Sequence, residues 1–531
     1  MLRPPEQEGH LMRVPRRSDR GTCASECQGL REMKAMGVRS FGLLLLSSCV
    51  FLTIARCQDS AAAWRRLATA DLAAMRDTLQ ENHPAVYVAK DSMLFRRWLN
   101  HGYAEAQTGL AQVTDGRGYY YLLKGYAGGF RDSHIVVYMK PSSGLSATAI
   151  RWPGISTTWR SSKYRVAYVN PGNHSNLPPR GATLVACGRL SAETLARMRL
   201  DHYEANLDLQ SGRYFSAPKL LWDMGNPFVG PVPDRCTFRF RSVSKTYKLK
   251  YTDATVGDIQ IATETAAGEA KPKLSVEKWG DRGWWIGMPS MLESEDWADF
   301  FDQIERHKEE IRSAPLVVVD VRGNSGGDST YPDRLAKILW GEEFVQVFTP
   351  YQGNEIYRVS PLNRKFFVDS LQEFKEKHEV NEYVGPFSEL VSKMDSAASS
   401  ATPLVVMRNA VPKRPPLRPP NPMKGSVVLL TDYACNSACL DMMDLYIRLP
   451  NTLQAGTITT ADTIFMEVTR IDLPSGKAGL SFGHKAWIAR RRGSNVPYKP
   501  LPAYTYSGDL GDDQAMRRWA AGLQLARASS Q

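Results

Sequence analysis

Two short stretches carry residue types that could do chemistry together. One is Thr431–Tyr446, TDYACNSACLDMMDLY. Before it, Gly425–Leu430 (GSVVLL) is an aliphatic, β-branched run that reads as a buried strand. After it, Leu440, Met443, Tyr446 and Ile447 recur at helical spacing. Ser437 therefore falls where a strand turns sharply into a helix. A hydroxyl there stands on rigid backbone beside the first helical N–H groups, as acyl transfer to a serine requires. The same position also suits an N-cap serine that only satisfies a backbone donor. The other stretch is Ala127–Lys140, AGGFRDSHIVVYMK. Here His134 stands at the mouth of a strand over Ile135–Met139, flanked by Asp132 and Ser133, which suits a proton acceptor or a plain surface-loop histidine.

A third stretch could serve the same chemistry. Pro315–Val321 (PLVVVDV) is apolar almost throughout, as a central parallel strand should be. It runs into Arg322-Gly323-Asn324-Ser325-Gly326-Gly327 and a helix over Tyr331–Trp340. The turn lacks the Gly-Lys-Ser/Thr of a phosphate loop. Its other use is to let bare backbone N–H groups approach an oxyanion.

These pieces need a scaffold, and the rest of the chain supplies one. Residues 62–125 read as helical, with periodic apolar residues over Ala63–Gln80 and Phe95–Gln107 and a break at His83-Pro84. Residues 158–252 read as a small β-rich module. Its strands are Tyr164–Val169, Thr183–Cys187, Cys236–Ser242 and Thr246–Tyr251, with a short helix at Ser191–Leu200. Asp253–Lys273 is polar and reads as a connector, and Trp284–Met288 opens a new domain. Glu295–Ile311 is helical. Residues 353–423 form an insertion, a candidate lid or oligomer contact, with a helix at Arg364–His378 and an extended proline-dense part at Pro412–Pro422. Strands near Thr463–Thr469 and Ala486–Ala489 and a helix from Asp512 through Trp519 follow.

Composition bounds the partners. The chain has 531 residues, 43% of them hydrophobic, enough for two or three domains with sizeable cores. Its formal charge is +12, but residues 1–57 hold nine Lys/Arg and five Asp/Glu, so the remainder carries +8. The basic residues are scattered apart from Arg490-Arg491-Arg492 and the run around Lys413, which is not the stripe of a nucleic-acid binder. Arg31, Lys34 and Arg39 precede Phe41–Ala55, an apolar stretch of 15 residues. That is short of the ~20 needed to span a bilayer and matches the core of a secretory signal peptide. Met33 or Met36 would start a better-proportioned signal than Met1. A periplasmic or secreted protein with no stable membrane span after signal removal is the expectation. Outside this leader the cysteines are Cys187, Cys236, Cys435 and Cys439. In an oxidising compartment the favoured pairs are Cys187–Cys236 and Cys435–Cys439; no histidine lies near them in sequence, and no metal or cofactor is expected.

Taken together, PLVVVDVRGNSGG, Asn436-Ser437-Ala438-Cys439, Asp132-Ser133-His134 and the ending Asn495-Val496-Pro497-Tyr498-Lys499-Pro500 through Trp519 resemble the tail-specific, or C-terminal processing, serine peptidases. The likeness is greatest to their tricorn-like, Ser-His branch and covers roughly residues 62–522. It implies an α/β fold: a ClpP/crotonase-like α/β core at 275–522, an N-terminal helical region at 58–140 and a divergent PDZ-like module at 150–252. The activity implied is endopeptidase chemistry on a polypeptide substrate, in a chain that could be oligomeric. Ser437 would be the nucleophile, His134 the base and Ser133 its neighbour, with Gly326, Gly327 and Ala438 around the oxyanion. The departures are specific. Position 462, near where the processing branch carries its lysine, is Asp, and the first lysine after Ser437 is Lys477. The branch's downstream glutamate has no counterpart, because Glu467 is the only glutamate after Ser437 and lies too early. Ser133 or Asp441 is left to orient the base. The alternative is a non-catalytic peptide- or ligand-binding relative on the same fold.

Overall fold

The computed structural model describes residues 43–143, 150–172, 176–268, 272–351, 353–376, 384–409, 411, 419–488, 490 and 492–523. The basic start of the leader, most of the proline-dense run and Arg491 lie outside them.

A five-stranded sheet holds the two turns of interest. Its order is Ser275–Lys278, Gly283–Gly287, Leu316–Asp320, Ser426–Thr431, Thr452–Gly456, antiparallel for the first pair and parallel thereafter. The three inner strands, Gly283–Gly287, Leu316–Asp320 and Ser426–Thr431, are largely apolar because both faces are covered, while the two edge strands are mixed. Val317, Val319, Val427 and Leu429 face helices Asp296–Arg306, Thr330–Trp340 and Ala438–Tyr446, whose Phe301, Leu335 and Tyr446 are fully buried. Val318, Val428 and Leu430 face the other way, into a core shared with the β-rich module. Because Leu316–Asp320 and Ser426–Thr431 are parallel neighbours, with Val319 opposite Leu429 and Asp320 opposite Leu430, the turns after them leave the same edge of the sheet. That is the edge at which open α/β sheets place their sites.

His134 lies in a turn two residues before the first strand of a second sheet, ordered Val136–Met139, Ala478–Ile488, Asn354–Arg358, Leu404–Met407, with Phe465–Asp472 also paired to Ala478–Ile488. Helices Leu43–Asn82, Ala89–Gly109 and Gly116–Gly128 pack on it through Leu72, Met75, Leu99, Leu122 and Leu123. The segment after Gly353 contributes two strands to this sheet, and its helices Pro361–Glu376 and Val384–Ser399 bury Phe367, Leu390 and Met394 against Tyr357 and Val405. Among the described residues no helix is long and apolar enough to cross a membrane.

The β-rich module is a sheet ordered Ile155–Arg160, Lys163–Val169, Thr183–Cys187, Arg235–Phe240, Val243–Lys248. Cys187 and Cys236 face each other on neighbouring strands and are joined, S–S 2.01 Å. The expected connector is a helix instead, Val256–Ala267. Thr255 and Asp258 form a reciprocal capping box, and Ala262 and Ala266 bury their methyls beside the first strand, where Ser156 Oγ donates to the Ala262 carbonyl at 3.0 Å. Six of its twelve residues are Val, Ile or Ala, the balance of a half-solvated helix.

Candidate active site

Ser437 stands where the strand Ser426–Thr431 gives way to the helix Ala438–Tyr446, with φ +52° and ψ −121°. For a residue with a Cβ that conformation costs about 1–3 kcal/mol, and such strain persists only where the surroundings impose it. The surroundings here are the glycine turn. Asn436 N donates to the Asn324 carbonyl at 3.2 Å, and Asn324 Nδ2 donates to the Met288 carbonyl at 2.7 Å, stitching the two turns to the sheet. A Cβ at Gly326 would lie 2.8 Å from both the Asn436 oxygen and Ser437 Cβ, so only glycine lets the turns meet. Cys435 and Cys439 are joined across Ser437, S–S 2.03 Å, and both are fully buried. The Ser437 side chain makes no cap hydrogen bond, so its hydroxyl is not spent on the helix start.

The glycines divide their labour differently from the expectation. The Gly326 N–H is committed to Asn324 Oδ1 at 2.8 Å, which removes it as an oxyanion donor and makes it a spacer. Among the described residues, the Gly327 and Ala438 amides donate to no protein acceptor. Gly327 has φ +139°, and a Cβ there would lie 2.0 Å from the Met291 carbonyl oxygen.

The group against His134 is Asp132, not Ser133. Ser133 is exposed, whereas Asp132 is buried. Asp132 Oδ1 accepts the His134 backbone N–H at 2.9 Å and lies 3.4 Å from the ring Nδ1. Its other oxygen, Oδ2, lies 3.7 Å from Nε2 of His83, which is fully buried and stacked on Phe95. His83 Nδ1 accepts the Ala85 N–H, so its proton is on Nε2, towards Asp132. Burial alone would raise the Asp132 carboxyl, but the two imidazoles reverse this and hold it well below the usual carboxylate range. Burial pulls His134 down, and the adjacent Asp132 carboxylate, helped by the charge of Asp462, outweighs it and raises the imidazole above its usual value. His83 moves the opposite way because burial prevails, so it stays neutral. With Nδ1 turned to Asp132, the His134 Nε2 is free for a reacting proton.

Where a downstream glutamate was sought, the chain carries arginines. Arg490 pairs with Asp441 at 2.6 Å, and Arg492 with Asp444 at 3.3 Å and with Asp462. Asp441 is in the first turn of the Ser437 helix and also accepts the Ser329 hydroxyl at 3.0 Å, so it is not available to orient the base. The cluster also joins the two halves of the site. Asn495 donates through Nδ2 to the Arg131 carbonyl at 3.0 Å and through N to the Asp462 carbonyl at 2.7 Å. Thr460, two residues before Asp462, donates to the Cys435 carbonyl at 3.2 Å. Asp462 and Arg490 both act electrostatically on His134. The histidine loop and the serine turn thus border one cluster. A cleft of about 610 Å³ opens beside the serine turn, lined by Ser325, Asp432, Asn436 and Thr460 on one side and by Tyr214, Phe215 and Leu510 on the other.

The architecture is an α/β protein whose elbow serine meets a glycine turn at the carboxyl edge of a parallel sheet. That class has known members. The structure is similar to mature CPAF at 13% identity and TM-score 0.55, over 86% of this chain and 96% of that one. It is similar to mature CPAF complexed with lactacystin at 14% identity and TM-score 0.54, over 87% and 97%. The photosystem II D1 C-terminal processing protease is a more distant neighbour, at 10% identity and TM-score 0.32 over 84% of this chain and 98% of that one. No family model and no curated protein matches the sequence.

Proposed function

We propose that the chain is a serine endopeptidase that works through an acyl-enzyme. His134 Nε2 takes the Ser437 hydroxyl proton as Oγ attacks a peptide carbonyl, and the oxyanion forms against the Gly327 and Ala438 amides. The protonated imidazole, favoured by Asp132, then gives its proton to the leaving amine as the C–N bond breaks. Water, deprotonated by the same imidazole, hydrolyses the ester and restores Ser437. The observation that carries this reading is the left-handed backbone of Ser437 combined with a hydroxyl that caps nothing. An N-cap serine would have extended backbone and a bonded Oγ.

The lactacystin complex of a structural neighbour adds a reagent to the case. Two disulfides support residence in an oxidising compartment, periplasmic or secreted. The six-stranded module with its Val256–Ala267 helix takes the place of a PDZ-like domain beside a ClpP/crotonase-like core. The deciding experiment is labelling with a fluorophosphonate probe, with lactacystin as competitor. Ser437 is expected to carry the adduct, and Ser437→Ala to abolish both labelling and cleavage of an unfolded protein substrate. Folded wild-type protein that takes up no label, or cleavage that survives Ser437→Ala, would leave a binding protein on a peptidase scaffold.

A further inference from the structure

The β-rich module ends in a feature that the peptidase reading does not use. Its last two strands, Arg235–Phe240 and Val243–Lys248, are a hairpin closed by Arg241-Ser242. Arg235, Arg239, Arg241, Lys245, Lys248 and Lys250 are all exposed, and among the described residues none forms an ion pair. Asp234 is the one acid between Asp234 and Lys250. Val243–Lys248 is also an open edge. A two-residue hairpin bonds its closing pair, Phe240 and Val243, and then every second pair. The bond from Leu249 N to the Asp234 carbonyl, 2.6 Å, continues that alternation. Ser244, Thr246 and Lys248 therefore turn their N–H and C=O groups outward with no strand beside them. The opposite edge is closed: Thr157 Oγ1 donates to the Ala217 carbonyl at 2.6 Å, and residues 217–219 pack along it.

We propose that the Val243–Lys248 edge docks an extended acidic segment of a partner polypeptide as an added strand. The outward N–H and C=O groups would form its ladder, and the flanking arginines and lysines would pair with its carboxylates. Charge complementarity selects the occupant, because six cations without acidic partners surround the one free edge of this sheet. A flat anionic surface would satisfy the charges but leave the backbone row unbonded. Lysines can also stand on an edge merely to keep other strands away. The proposal stands independently of Ser437.

The test uses the full chain and a fluorescein-labelled decapeptide of alternating Glu and Val, read by anisotropy at about 50 mM salt and again above the range where exposed charges are screened. Wild-type protein is expected to bind it, and not the Lys-Val counterpart, with affinity falling as salt rises. Arg239→Glu/Lys245→Glu/Lys248→Glu is expected to weaken binding about tenfold or more. Thr246→Pro keeps every charge and every backbone bond to the neighbouring strand, losing only the Thr237 hydroxyl contact there, but blocks the outer ladder, and is expected to weaken binding about as much. Thr246→Val, which loses only the 2.8 Å hydroxyl contact with Thr237, should bind like wild type. Should Thr246→Pro not fold, as judged by circular dichroism, Ser244→Pro replaces it. Equal binding of the proline variant and wild type overturns strand addition, as does capture of both by phosphatidylserine vesicles with no peptide binding. Indifference to peptide charge overturns the proposal altogether.

Discussion

Replacing Asp132 by Asn tests whether this carboxylate orients the base in place of a downstream glutamate. The substitution keeps an oxygen for the His134 backbone N–H at 2.9 Å, so the turn should survive while the charge is lost. At the observed 3.4 Å from Nδ1, Coulomb's law with an effective dielectric constant near 20 gives a ceiling of about 5 kcal/mol for the lost attraction. Opposite charges at such range usually move a pKa by about 1–3 units, which is the better expectation. The sign follows from the base's task. His134 is raised in the native protein, so kcat/KM should climb with pH through a midpoint above 6.5 as the imidazole loses its proton. In Asp132→Asn that midpoint should move to lower pH by about 1–3 units, while the plateau falls on the order of 100- to 10,000-fold because imidazolium is no longer stabilised. A pH profile of peptide hydrolysis reads both, and thermal melts check the fold. A midpoint that stays put with a rate within about threefold of wild type would refute the assignment of Asp132 as the orienting group.

Gly326→Ala should cut activity more than tenfold, since its Cβ would press on the Asn436 oxygen and Ser437 Cβ at 2.8 Å, and should cost about 1–3 kcal/mol in denaturant unfolding. Ser133→Ala should leave kcat/KM within about twofold, because the side chain is exposed; a large loss would return the orienting role to Ser133. Cys435→Ser/Cys439→Ser frees a loop of separation 4 and should lower stability by about 2 kcal/mol in urea, with a larger loss of rate as the Ser437 turn relaxes. Arg492→Met leaves buried Asp462 only the longer 3.5 Å contact with Arg490 and should cost about 3 kcal/mol, measured by thermal unfolding.

Much of the scaffold was legible because it depends on local rules. The aliphatic runs ending at Val321 and Leu430 became parallel neighbours, and the break at His83-Pro84 ended a helix. The strand-to-helix step placed Ser437 correctly, but its positive φ could not be read from sequence, since tertiary contacts force it. The Asp132 contact could have been read: an aspartate two residues before a histidine can accept that residue's N–H and so hold the ring nearby. The commitment of Gly326 to Asn324 was less visible, because Gly326 and Gly327 are alike on paper and differ only in what their amides meet. The helix Val256–Ala267 was hidden by the polar residues scattered through and around it in Asp253–Lys273, although Thr255 and Asp258 spell its cap.

The pairing of Val136–Met139 carries a consequence for the timing of assembly. That strand has one sheet neighbour, Ala478–Ile488, made more than three hundred residues later. During synthesis the serine elbow and glycine turn can therefore form while the histidine arm still has nowhere to lie flat. A nascent chain that stops short of that final strand holds Ser437 with His134 still unseated, so on the proposed mechanism its chemistry would wait until translation is almost done.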